Sequence, residues 1–128
     1  ATSEKQLMAR HLDGRVTAVL GTHTHVPTAD EQILKGGTAF QCDVGMTGPL
    51  ESILGRDIER VMHTTITFRP TYFQVAKHDV RLGGTIVEVD PSTGRAVAVR
   101  RLLLREDEVE RLELLCAPAP VSSEPDDD

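Results

Sequence analysis

The chain has 128 residues and a mass of 14.0 kDa, which sets an upper limit of one domain, and its 39% hydrophobic and 27% charged residues give the balance of a soluble globular protein. A net charge of −6 excludes a general binder of nucleic acid or anionic membrane, which needs a basic face, and no apolar run approaches the roughly 20 residues of a membrane span. Two cysteines, Cys42 and Cys116, make neither a disulfide framework nor a four-cysteine zinc site, so the expected compartment is a reducing cytoplasm.

Ser3 and Gln6 fit a capping box, and Leu7, Met8, His11 and Leu12 recur at helical spacing, so a helix is expected over residues 3–13 with Asp13-Gly14 as its stop. Residues 16–21 follow at once. They are short, β-branched and almost continuously apolar, the pattern of a strand buried on both faces. Residues 31–34 and 38–42 predict a hairpin turning at Lys35-Gly36-Gly37. Asp43-Val44-Gly45-Met46-Thr47-Gly48-Pro49 is a Gly-rich loop, and Asp57 is placed to cap a helix over 57–64. Residues 71–76, 80–89 and 95–104 read as a terminal β-meander, with Asp90-Pro91-Ser92-Thr93-Gly94 as its last turn. The end of the chain, from residue 117, is Pro, Ser and acid, and is expected to be a disordered acidic tail.

The sharpest chemical feature is His23-Thr24-His25, just past the first strand. In extended chain, residues i and i+2 leave the same face with Cα atoms about 6.5–7 Å apart. Two neutral imidazoles so placed can share one metal, or serve one each of two metals about 3.5–4 Å apart. The carboxyl ends of parallel strands are also where open α/β sheets carry their sites. The alternative is a pair of idle loop histidines. Two ligands do not complete a site, since three or more protein ligands per metal are usual. Further candidates are Asp30, Glu31, Cys42, Asp43, His11, His63 and His78. Of these, His11 reads better as half-buried packing and Cys42 as a buried inert thiol. Asp43 is either a turn carboxylate or a partner that accepts a histidine N–H and fixes its tautomer. Small residues around Gly45 allow close approach of backbone to a ligand or to a metal site. No nucleotide-binding glycine motif and no G-x-S-x-G is present.

Ala1-Thr2-Ser3-Glu4-Lys5-Gln6, Leu12-Asp13-Gly14-Arg15-Val16, Gly21-Thr22-His23-Thr24-His25-Val26, Thr28-Ala29-Asp30-Glu31, Gly37-Thr38-Ala39 and Asp43-Val44-Gly45-Met46-Thr47-Gly48-Pro49 occur in this order. Together they resemble the YmdB-type bacterial metallophosphoesterases, calcineurin-like enzymes that act on 2′,3′-cyclic nucleotides. The resemblance covers about residues 1–60, and the meander suits the end of that family less specifically. It implies an α/β fold: the C-terminal half of a calcineurin-like αββα sandwich, spanning residues 1–116, with the acidic tail over 117–128. It implies two divalent metal ions, iron with manganese as an alternative, with His23 on one and His25 on the other. Thr22, Asp43 and Gly45 are then loop or supporting residues. Pro27 stands where the resemblance leads one to expect Gln.

The resemblance further implies that an Asp, a bridging Glu, an Asn, another His ligand and a proton-donating His lie upstream of Ala1. No catalytic acid is therefore expected in this chain, and the chain is expected to be inactive alone. The expected partners are a small phosphodiester substrate, the missing N-terminal half and a second copy in a homo-oligomer. Two other readings stand beside this one: a non-catalytic metal-binding or interaction module, and another calcineurin-like relative.

Overall fold

The computed structural model describes residues 1–109 and Arg111. The expected tail over 117–128, with residues 110 and 112–116, lies outside the described residues.

The elements run α1 (Thr2–Leu12), β1 (Ala18–Leu20), β2 (Gln32–Ile33), β3 (Ala39–Gln41), β4 (Gly48–Pro49), α2 (Ile58–Thr67), β5 (Val80–Val89) and β6 (Ala96–Arg105). They build two three-stranded sheets, β1-β3-β2 and β4-β5-β6. The fold is mixed α/β, as the sequence indicated.

In the first sheet, β1 pairs parallel to β3 with Val19 opposite Phe40, and β2 returns antiparallel to β3 with Ile33 opposite Ala39. The β2–β3 connection closes through Gly37 N–H to the Leu34 carbonyl and Leu34 N–H to the Thr38 carbonyl, both 2.9 Å. The hairpin and its turn therefore sit where the alternation and the glycine pair put them. The core is small: Ala9, Leu34, Phe40 and Cys42, with Val19 packed against them.

Helix α1 turns a different face inward from the one its apolar residues suggest. Ala9 is buried and Lys5, one turn earlier, reaches across the sheet end, whereas Leu7, Met8 and His11 are exposed. The inward positions are a small residue, Ala9, packed with Leu34, Phe40 and Cys42, and a lysine whose ammonium reaches Thr22 and Asp43. His11 is accordingly exposed, not half-buried packing. The helix begins at Thr2, so Ser3 lies inside it. Strand β1 is also less covered than its composition implied: Leu20 and Val16 are exposed, and among the described residues β3 is the only strand paired with β1.

The second sheet is an antiparallel meander whose first strand differs from the expected one. Residues 71–76 form no strand. Their backbone instead bonds the loop before α2, through Asp57 N–H to the Gln74 carbonyl and Ala76 N–H to the Gly55 carbonyl. Tyr72 and Val75 face outward. The β5 partner is Gly48–Pro49, from the Gly-rich loop, with Gly48 opposite Arg81. Helix α2 is capped by Asp57, whose carboxylate accepts from Arg60 N–H at 3.0 Å, and runs three residues past its expected end.

The long β5–β6 hairpin is fastened to the first sheet by polar contacts. Thr85 Oγ1 donates to Gln41 Oε1 (2.6 Å), Ala96 N–H to the Gly37 carbonyl (2.9 Å), Thr17 Oγ1 to the Gly94 carbonyl (2.8 Å) and Arg101 Nε to Glu31 (2.8 Å).

Candidate functional site

The site loop begins where β1 stops. Gly21 continues the parallel ladder, its N–H donating to the Gln41 carbonyl while its own carbonyl accepts from Val44 N–H, both at 2.9 Å. A Cβ at this position would lie 2.0 Å from the Cys42 carbonyl oxygen, so only glycine lets the two chains approach this closely.

Beyond Gly21 the chain bends, and the extended geometry that the i, i+2 spacing assumes is not what forms. His23 has φ 125° and His25 φ 66°, both in the positive region that non-glycine residues rarely occupy. Such backbone persists only where neighbours fix it. Here the fixing point is Thr24, between the two histidines. Its N–H donates to Asp43 Oδ2 at 2.8 Å, and its hydroxyl turns back to the Val26 carbonyl at 2.9 Å.

Asp43 is fully buried. Oδ2 also accepts from Lys5 Nζ at 3.3 Å, and Oδ1 from Gly45 N–H at 2.9 Å. Burial pushes its carboxyl up, but the N–H groups of Thr24 and Gly45, the Thr24 hydroxyl and the Lys5 ammonium outweigh that and hold it below the usual carboxylate value. Asp43 therefore anchors backbone; among the described residues no histidine N–H reaches it. Lys5 also donates to the Thr22 carbonyl at 2.7 Å, so Thr22 takes part through its main chain.

Gly45 (φ 82°) closes the other side: a Cβ there would meet Pro27 Cδ at 2.9 Å. Pro27 itself bridges to Val44, and Thr28 exchanges hydrogen bonds with the Asp43 backbone. Gln41, also fully buried, donates from Nε2 to the carbonyls of Thr28 and Asp43.

On this scaffold the imidazoles of His23 and His25 are exposed and make no hydrogen bond or ion pair with the described residues. Their ring nitrogens are thus open to an incoming ligand.

The other candidates are engaged elsewhere. Asp30 Oδ1 accepts from Cys42 N–H (3.1 Å), Glu31 holds Arg101, and Cys42 is a buried free thiol. His63 Nδ1 lies 3.2 Å from Thr71 Oγ1 on α2, and His78 is exposed near the start of β5. No three His, Cys, Asp or Glu side chains among the described residues gather as a metal cage. What the described residues offer a metal here is two exposed imidazoles on a loop pinned through Thr24, the donor type that a share of a metal site needs.

Residues the sequence reading passed over carry much of this geometry: Lys5, Gln41 and Thr28. A usable signal existed for one of them, since Gln41 is a polar residue beside the apolar Ala39, Phe40 and Cys42, and a polar residue in such a run needs a dedicated partner.

Fold and site together define a mixed α/β protein with two histidines just past the carboxyl end of a strand paired in parallel. The model of the family described as "YmdB-like protein" matches residues 1–102, and the chain belongs to that family. It is 47% identical over 107 residues to the 2′,3′-cyclic-nucleotide 2′-phosphodiesterase of Bacillus subtilis strain 168, covering 84% of this chain and 40% of the relative. Among solved structures it is similar to a hypothetical protein from Thermus thermophilus, with a TM-score of 0.74 and 45% identity over 83% of this chain and 41% of the other. It is also similar to a novel phosphatase from Mycoplasma pneumoniae, with a TM-score of 0.75 and 36% identity over 88% and 41%. The chain therefore spans about two fifths of the length of the relatives it matches. No helix among the described residues is long and apolar enough to cross a membrane.

Proposed function

We propose that this segment forms one wall of a two-metal phosphodiesterase site, with His23 a ligand of one ion and His25 of the other. The ions are iron or manganese, and the substrate is a small phosphodiester of the 2′,3′-cyclic nucleotide class. The observation that carries the reading is the pair of unpartnered imidazoles in a loop whose backbone is pinned by a buried, ionised Asp43. The name of the Bacillus subtilis relative supplies the substrate class.

Residues 1–116 are then the C-terminal part of a catalytic domain. The remaining ligands and the proton donor come from chain outside these 128 residues, in keeping with the two-fifths coverage of the relatives.

Divalent ions held in part by His23 and His25 would, when bound, lower the pKa of water toward neutrality and offset charge developing on the phosphoryl oxygens. This chain's own residues hold and aim. The loop presents two imidazoles, and Asp43 keeps the Thr24 backbone between them in place. Lys5 fixes the Thr22 carbonyl at the loop's start. Hydrolysis adds water across the P–O2′ bond: the water oxygen joins phosphorus, the P–O2′ bond breaks, and the 2′-oxygen leaves with a proton. A 3′-phosphate remains.

The test is metal content and turnover of the full-length enzyme carrying His23→Ala or His25→Ala. Each variant is expected to lose about one metal per chain and essentially all turnover, with an unchanged far-UV spectrum and melting point. Wild-type metal content in both variants would overturn the assignment.

A further inference from the structure

A second feature shares a wall with the site. His25, Val26, Met46, Leu50, Ile53 and Leu54, with Ser52 beside them, line a cleft of about 230 Å³. We propose that this cleft seats the nucleobase of the substrate, so that Val26, Met46, Ile53 and Leu54 select nucleotides over other phosphodiesters; this rests on the phosphodiesterase reading above.

Three observations lead there. The first is position. In a 2′,3′-cyclic nucleotide the phosphate is fused to the ribose at C2′ and C3′, and the base hangs from the neighbouring C1′. The base must therefore lie within one sugar ring of the reacting phosphorus. A cleft that has His25 as one of its own walls meets that requirement.

The second is chemistry. Apart from His25, the lining offers one polar side chain, Ser52. Its hydroxyl is already used, donating to the Pro49 carbonyl (2.6 Å) and accepting from Gly55 N–H (2.9 Å). The side chains of the cleft thus offer mainly an apolar face. The cleft is expected to take purines and pyrimidines with little preference. Its volume falls below the roughly 300–1,000 Å³ of clefts that enclose drug-sized ligands, and it suits a single ring system rather than an oligonucleotide.

The third is preorganisation. Val26, Ile53 and Leu54 are 60%, 41% and 57% exposed and share one concavity, so their apolar side chains are accessible to a ligand. The segment bearing the last two is fixed by reciprocal hydrogen bonds between Ile53 and Arg56 (2.9 and 3.0 Å), and Leu54 is held at φ 51°. A left-handed leucine is the kind of local strain that surrounding structure must enforce.

The test separates base from phosphate. The full-length metal-loaded enzyme, wild type and Leu54→Asn, is assayed on a 2′,3′-cyclic nucleotide and on ribose 2′,3′-cyclic phosphate, which lacks only the base. Asn tolerates the left-handed backbone, so the loop path is kept. The wild type is expected to prefer the nucleotide. The ratio of kcat/KM for the two substrates is expected to fall about tenfold in Leu54→Asn, mostly through KM, as the loss of one apolar pocket contact does. Val26→Thr, which keeps shape and adds a hydroxyl, should lower the ratio in the same direction. An unchanged ratio in both variants would overturn the proposal.

A second arm needs neither metal nor phosphate. Adenosine is titrated into the full-length protein while the methyl resonances of Val26, Leu50, Ile53 and Leu54 are followed, with Leu7 as a remote control. Shifts confined to the cleft, weakened by Leu54→Asn, support the subsite. No shift, or shifts equal at Leu7, would overturn it. If adenosine binds in the cleft but the full-length enzyme hydrolyses neither phosphodiester, the phosphodiesterase reading fails and the base site stands.

Discussion

Replacing Asp43 by Asn tests how the histidine loop is held. The carboxylate is fully buried and accepts from Thr24 N–H, Gly45 N–H and Lys5 Nζ. Asn keeps the shape and can still accept from Gly45 through its oxygen. Its amide nitrogen then faces the Thr24 N–H, donor against donor, and the Lys5 ammonium loses its counter-charge. A buried backbone N–H left without a partner costs about 1–3 kcal/mol, and a hydrogen bond to a charged group contributes about 1.5–3 kcal/mol. Lys5 is partly exposed and recovers some of its share from water, so the sum expected is about 2–4 kcal/mol.

Urea unfolding at pH 7 measures this as a fall in midpoint with an unchanged slope. The acid limb gives an independent reading. A carboxyl whose folded value lies below its ordinary 3.8 contributes stability that is fully present above that value and is lost as pH falls through the lower folded one. Wild type should therefore lose stability in that window, and Asp43→Asn should lack that portion of the loss. Lys5→Met, which removes only the ammonium, should cost less than Asp43→Asn because both backbone bonds to the carboxylate survive. A wild-type urea midpoint together with an unchanged acid limb in Asp43→Asn would refute the claim that this carboxylate organises the loop.

Three further outcomes follow from contacts of the same kind. Gly21→Ala puts a methyl 2.0 Å from the Cys42 carbonyl oxygen and should abolish cooperative thermal unfolding, whereas Gly84→Ala, with open space around its Cβ position, should melt within a few degrees of wild type. Gln41→Leu strands the Thr85 hydroxyl and two carbonyls and should destabilise by about 2–3 kcal/mol in urea, with a double-mutant cycle against Thr85→Val showing coupling. The 128-residue chain exposes Leu7, Met8 and Leu20 along α1 and β1 and should bind a hydrophobic dye; Leu7→Glu with Met8→Gln should reduce the fluorescence, and an absent dye response in wild type would contradict it.

The sequence showed most where the physics is local. The β2–β3 hairpin was written in alternation and in Lys35-Gly36-Gly37, and the start of α2 in Asp57, since both depend on neighbouring residues. The histidine pair was legible as a candidate pair from its spacing after an apolar strand, beside the alternative of two idle loop histidines. Its geometry was not, because extended spacing cannot foresee that a carboxylate 19 residues away would take the Thr24 N–H and bend the chain. The same limit hid Lys5, whose partners are Thr22 and Asp43, and the face that α1 turns inward. Leu7, Met8, His11 and Leu12 recur at helical spacing, but the structure buries Ala9 and leaves Leu7, Met8 and His11 exposed. Residues 71–76 alternate like a strand, but their backbone partners are the loop residues 55–57, a pairing that no periodicity encodes.

The central claim is that this segment contributes two ligands, one to each of two ions, and cannot run the reaction without the rest of the domain. One protein ligand per ion, where three or more are usual, leaves the ions free to exchange and the attacking oxygen unplaced, and a missing general acid alone costs about 10²–10⁴ in rate. The most direct measurement is product release from a 2′,3′-cyclic nucleotide by the purified 128-residue chain with added manganese or anaerobic ferrous iron, beside the full-length enzyme. The account predicts turnover by the full-length enzyme and none above buffer by the 128-residue chain. Clear turnover by the 128-residue chain that a chelator removes would contradict it.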